Sequence, residues 1–115
     1  MDDPFAERIA AIRRRFIAKL DGRIDIIASA TQQTDWENGL DTLELAHREA
    51  HGLCGVGETL GFVGTGKVAR AIEQLLLAAL KAERTLTDDE SAHLREGIVL
   101  LRSTATVEVS SGRQQ

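Results

Sequence analysis

At 115 residues the chain is long enough for one hydrophobic core and too short for two, so a single domain is expected. Its residues are 43% hydrophobic and 28% charged but only 3% aromatic, a globular balance whose core must come from Leu, Ile, Val and Ala, as suits packed helices. The 18 acidic and 14 basic residues leave a net charge of -4, which argues against nucleic-acid binding through a broad positive field, and one cysteine excludes an intrachain disulfide. With no signal peptide and no apolar run of membrane length, a soluble cytoplasmic protein without a nucleic-acid or membrane partner is expected.

Asp2-Asp3 followed by Pro4 reads as an N-cap aspartate with proline at the first helical position. Phe5, Ile9, Ile12, Phe16 and Leu20 then recur at the period of one helical face, and Ile24 and Ile27 carry the stripe past Gly22 toward Ala30. One long helix, or two nearly collinear ones, is expected. The basic run Arg13-Arg14-Arg15 reads as a solvated face of it. The polar segment TQQTDWENG is expected to be a linker whose Trp36 folds back on the bundle, and Asp41 with Glu44 has the pattern of a capping box for a second helix.

In that helix Leu43, Ala46, Ala50, Leu53, Gly57 and Leu60 alternate spacings of three and four, a narrow seam with small members that let a neighbour approach closely. Gly61, Gly64 and Gly66 are expected to end the helix and form the turn, with Lys67 starting the third helix, which Val68, Ile72, Leu75, Leu76, Ala79 and Leu80 mark as far as about Glu83. Thr87 with Glu90 forms another capping box, and Ala92, Leu94, Ile98 and Leu101 give the fourth helix its apolar set. Beyond Ser103 the choice is between a short strand and a frayed tail, and the tail is preferred: residues 1–105 form the domain and 106–115 a flexible C-terminal tail. The expected architecture is all-α, an antiparallel up-down four-helix bundle with an N-terminal helical extension.

GFVGTGKV, residues 61 to 68, matches G-x-x-x-x-G-K of a phosphate-binding loop, but Val68 stands where the Mg²⁺-binding hydroxyl belongs. The segment before it is helical, whereas such a loop needs a strand there. A nucleotide site is therefore not expected.

Among His47, His51 and His93, His51 stands about 130° from the centre of the apolar seam at 100° per residue, and so points into water. Its neighbours one turn away are His47, Arg48, Cys54 and Gly55. Glycine inside a helix costs about 1 kcal/mol against alanine, and core packing accounts for Gly57 but not for Gly55 beside His51. Two readings stay open: bare backbone left for an incoming partner, or a weak surface helix. His47 and His51 lack the zincin spacing, since Glu49 falls one place late in HREAH and no third ligand is fixed, so no metal site is expected. Cys54 as a nucleophile would need a base, and His51 lies within one turn. His93 shows no partner.

AHGLCGVGETLGF, Ala50 to Phe62, resembles the signature of histidine-containing phosphotransfer (HPt) domains: Ala-His-x-Leu-Lys-Gly, then Gly and a large apolar residue. Ala50, His51, Leu53, Gly55, Gly61 and Phe62 fill the matching positions; RRRFIAKLDGRI resembles the family's first bundle helix and KVARAIEQLLLAAL the helix after the turn, with Ala71 and Glu73 near its Ala-x-x-Leu-Glu. The likeness spans roughly residues 5 to 105. It implies that His51 is a phosphoacceptor, that the chain has no ATP site or autokinase activity, and that it binds no cofactor, Mg²⁺ belonging to the receiver partner.

By the same likeness the partners are response-regulator receiver domains and a hybrid histidine kinase. Cys54 departs from the pattern: the family usually has a lysine there, thought to hold phosphoryl oxygens. Arg48, Lys67 or Arg70 are the candidates to replace it, Arg48 first because helix geometry fixes it beside His51; the alternative for Arg48 is a plain pair with Glu44 or solvent. Receiver docking or phosphate orientation is expected of His47, Arg48, Gly52, Cys54, Gly55, Glu58 and Lys67. The chain is expected to act in trans, as a monomer. An adaptor that binds a receiver and blocks it without transfer is the rival expectation.

Overall fold

In the computed structural model, which describes residues 3–32 and 36–112 and only the backbone of Trp36, Asn38 and Gly112, Asp3 opens the first helix as the sequence expects. Its carboxylate accepts a hydrogen bond from the Phe5 N–H at 3.0 Å, and Pro4, which has no N–H to lose, takes the first helical position. The helix α1, Pro4–Ala28, passes Gly22 without a break and runs into a 3-10 turn at Ser29–Gln32. Three helices follow: α2, Trp36–Thr59, α3, Val63–Lys81, and α4, Asp88–Gly112. α2 packs on α3, α3 on α4, and α1 closes the bundle against both α2 and α4. There is no strand among the described residues, and none of the described helices is long and apolar enough to cross a membrane.

Helix α2 starts at Trp36, five residues before the expected capping box, so Asp41 lies inside the helix. Gly39 is buried, which extends the seam one position ahead of Leu43. A glycine carries no hydrophobic signal, and the sequence pattern hides that first turn. The side chain of Trp36, expected to fold back on the bundle, lies outside the described residues.

At the other end of α2, Gly61 adopts φ of +93°. There the Phe62 N–H reaches the Gly57 carbonyl at 2.7 Å and the Gly61 N–H the Glu58 carbonyl at 3.2 Å, a Schellman closure that only glycine enters without strain. Gly64 and Gly66, expected in the turn, are in the first turn of α3, and Lys67 is the fifth residue of that helix rather than its start. Gly66 is there for packing: a Cβ on it would come within 3.2 Å of the Cys54 carbonyl oxygen and closer still to Glu58.

α4 opens on the expected capping box, the Glu90 N–H bonding to the Thr87 hydroxyl at 3.1 Å and the Thr87 N–H to the Glu90 carboxylate at 2.9 Å. Arg84 grips the same carboxylate with both terminal nitrogens and, as the largest influence, holds it below the usual carboxylate range. The helix then continues past Ser103 to Gly112, where a tail was expected. Leu101 and Ala105 keep their faces buried, Val109 packs partly against the core, and Glu108 makes a bond described below. Ala92, expected in the core set, is exposed.

The core joins Phe16, Leu20, Ile24 and Ile27 of α1 to the α2 seam and to Ile72, Leu76, Leu94 and Leu101. Phe16 and Phe62 stack with ring centroids 5.2 Å apart, and the Arg13 guanidinium lies 4.8 Å from the centre of the Phe62 ring while donating to the Leu60 carbonyl. Arg13 is therefore a brace on the α2–α3 turn, whereas Arg14 and Arg15 are solvated as expected. Because Arg13 is level with the end of α2, the residues before it overhang the bundle. Phe5, Ile9 and Ile12, which share the core stripe in sequence, stay 70%, 37% and 39% exposed.

Candidate functional site

His51 projects from the middle of α2 with its side chain 73% exposed. Nδ1 lies 2.9 Å from Oε1 of Glu73, one of the polar positions on the α2-facing edge of α3. A carboxylate only accepts, so Nδ1 carries the hydrogen, and in the neutral ring the lone pair is on Nε2. His47, one turn earlier, is mostly covered, with its ring 6.4 Å from that of His51 at 18°. Its Nε2 is 3.8 Å from the same Glu73 oxygen and has no hydrogen-bond partner among the described residues. One carboxylate thus faces two imidazoles.

Arg48 is exposed and shares a cleft with Glu44, His47, His51 and Leu80. No carboxylate among the described residues lies within ion-pair distance of Arg48, Glu44 included. Gly55 is exposed, and a Cβ on it would meet nothing within 4 Å; Gly52 is half-buried, its nearest neighbour the Arg23 Nη1 at 4.0 Å. Bare backbone therefore runs along the α1 side of His51, and beyond it Ile9, Ile12, Val56, Thr59 and Leu60 line an apolar groove of about 440 Å³.

Two of the expected residues fall elsewhere. Cys54 is only 7% exposed, inside the bundle rather than on the outer face. It stands about 70° from the centre of the seam, at an edge that α3 covers because glycines at 57 and 66 let the two helices close up. Lys67 lies in the groove between α3 and α4, with Val68, Ala71, Leu75, His93 and Leu100. Six residues from Glu73 is about 120° around the helix from the side that meets His51. Arg70 does face α2, but Glu58 holds it at 3.2 Å, one turn past Cys54. Glu58 is exposed as expected, in that pair.

The glycine stretch does bind an anion, one from its own chain. The carboxylate of Glu108 accepts hydrogen bonds from the Gly64 N–H at 2.8 Å, the Thr65 N–H at 2.7 Å and the Thr65 hydroxyl at 2.6 Å. The two N–H groups are orphan donors at the start of α3, whose N-cap residue Phe62 has no side-chain acceptor to offer them. Burial pushes the Glu108 carboxyl up, yet the bonds from Thr65 and Gly64 together outweigh it and hold the group below the usual carboxylate range. The bundle fills this site with its own side chain.

The sequence set Glu73 in the motif of the third helix without a partner and Ile9 and Ile12 in the apolar stripe of the first helix, and gave none of them a place at the site. Glu73 had a signal, being a carboxylate beside the apolar positions Ile72 and Leu76 and so at the edge of a buried face. Ile9 and Ile12 had none, because their period is that of the core residues that follow. No group of three or more His, Cys, Asp or Glu side chains among the described residues is arranged to hold a metal ion.

Compared with known protein families, residues 11–104 match the family described as Hpt domain. The corresponding comparisons with curated proteins and with solved structures returned no match. The matched segment contains every helix of the bundle at least in part, along with the exposed histidine and its carboxylate partner. The chain belongs to the Hpt domain family, whose members carry out histidine phosphotransfer in phosphorelays and meet receiver domains and kinases in doing so.

Proposed function

We propose that His51 accepts a phosphoryl group from the aspartate of one receiver domain and delivers it to the aspartate of another. The observation that carries this reading is the Nδ1 contact with Glu73 at 2.9 Å, which leaves Nε2 as the free, solvent-facing nucleophile on a rigid helix. Nε2 attacks the phosphorus of an aspartyl phosphate, the N–P bond forms, the P–O bond breaks, and the carboxylate leaves with the electron pair. The imidazole gains positive charge, and its Nδ1 hydrogen stays on the bond to Glu73, which balances that charge. Delivery is the reverse sequence with a different carboxylate.

The chain contributes position, and the receiver contributes Mg²⁺ at its acidic pocket. Gly52 and Gly55 let that pocket approach α2, the groove of Ile9, Ile12 and Val56 supplies apolar contact, and Arg48 offsets charge on the phosphoryl oxygens from the cleft beside His51. With Cys54 buried and Lys67 on the α3–α4 side, neither takes part in this reading.

The test is to incubate the chain with phosphorylated receivers and follow the label, with His51→Gln in parallel. Acid-labile, alkali-stable label on the wild type and none on the variant is expected. Receivers that bind tightly but never transfer label would overturn the proposal.

A further inference from the structure

Ile12, Arg15, Lys19 and Arg23 follow one another at spacings of three, four and four, and so share one face of α1. With Phe16 and Val56 they line a crevice of about 310 Å³, contiguous with the apolar groove at His51 through the shared residues Ile12 and Val56. Arg23 leans over the Phe16 ring, its guanidinium carbon 6.0 Å from the centre, and its Nε is 3.5 Å from Glu49. Its Nη1 is buried beside Gly52, the residue after His51, and has no hydrogen-bond partner among the described residues. Arg15 and Lys19 are exposed, with no carboxylate among the described residues within ion-pair distance.

Three cations thus line the α1 side of the approach to His51, on a chain whose net charge is -4. Glu49 meets one of them and the other two face water. Any partner that covers the groove and reaches His51 must also lie over this rim. We infer that Arg15, Lys19 and Arg23 form a selectivity rim for a receiver that carries carboxylates on the side facing α1. The inference rests on the receiver reading above and adds the chemistry of the partner. Charges beside a docking patch act mainly on the rate of encounter, by about tenfold or more, and their effect fades as salt screens them.

The test measures the association rate constant of each receiver with the chain at low and high salt, and phosphoryl transfer in parallel. Arg15→Glu/Lys19→Glu is the probe; Lys81→Glu/Arg95→Glu, which changes the same net charge away from the rim, is the control. For the receiver that associates fastest, the rim variant is expected to slow association about tenfold at low salt and to flatten its salt dependence, the control leaving both nearly unchanged. Replacing carboxylates on the receiver's facing surface by lysine should restore the rate for the rim variant. The inference is overturned if the rim variant associates at the wild-type rate at both salts, or if the control slows it equally. Association that depends on the rim while no receiver transfers phosphate would keep the inference and overturn the transfer reading.

Discussion

At the scale of single residues, the proposed role of His51 rests on its contact with one oxygen of Glu73. A hydrogen bond to a charged group contributes about 1.5–3 kcal/mol, or roughly 10- to 100-fold in a rate. Glu73→Ala frees the ring to rotate and to place its hydrogen on either nitrogen, so transfer should fall by about that factor in a single-turnover assay with thermal stability little changed. Glu73→Gln keeps an acceptor at the same place and should retain more of the rate than Ala. A Glu73→Ala chain that transfers as fast as wild type would show that the contact at 2.9 Å does not orient the nucleophile. The exposure of His51 was legible from its angle to the seam; the identity of its partner was not, because Glu73 is 22 residues away and only the α2–α3 register brings it there.

Among the helices, glycine separates stability from function. Gly22 in α1 and Gly55 in α2 both sit in helix interiors with open space where a Cβ would go. Replacing either by alanine should raise stability by about 1 kcal/mol, read as a higher Tm. Gly22→Ala should transfer phosphate as wild type, while Gly55→Ala should be slower because its methyl occupies the approach to His51. Equal transfer by the two would favour the reading of Gly55 as a weak point without a role.

The start of α3 makes the second test at this scale. Glu108→Ala removes three hydrogen bonds to that helix end and should cost about 1–3 kcal/mol. Because the folded pKa of Glu108 is lowered from 4.5, its contribution is fully present above that value and is lost as pH falls through the lowered one. The stability gap between wild type and Glu108→Ala, measured by denaturant unfolding, should therefore be constant near neutral pH and narrow in acid. A gap that does not narrow in acid would assign the cost to packing instead.

For the whole molecule, the overhang of α1 decides which apolar residues are core and which are surface. Ile9→Asp should leave the unfolding free energy within about 0.5 kcal/mol of wild type, as for a surface change, while weakening receiver association. A large loss of stability would instead place Ile9 in the core, against its 37% exposure. The four helices were legible in the sequence, but their ends were read less well. α2 begins on residues with no hydrophobic period, α3 begins inside the glycine stretch, and α4 is prolonged by Ala105, Glu108 and Val109 through contacts with other helices.

What the sequence determined by itself is whatever repeats within a few residues along one helix: the cap at Asp3, the capping box of Thr87 and Glu90, the seam from Leu43 to Leu60, the outward angle of His51 and the motif around it. Helical geometry fixes these at 100° and 1.5 Å per residue whatever the rest of the chain does. Only the tertiary structure decided that Glu73 meets His51, that Cys54 is covered, that Arg13 braces the α2–α3 turn, and that Glu108 takes the hydrogen bonds of Gly64 and Thr65 in the glycine stretch. Those outcomes join positions 22 to 47 residues apart or depend on how closely two helices approach. The approach is set by which side chains are missing, at Gly57, which the seam marks, and at Gly66, which reads in sequence as part of a turn and gains its packing role only when α3 closes on α2.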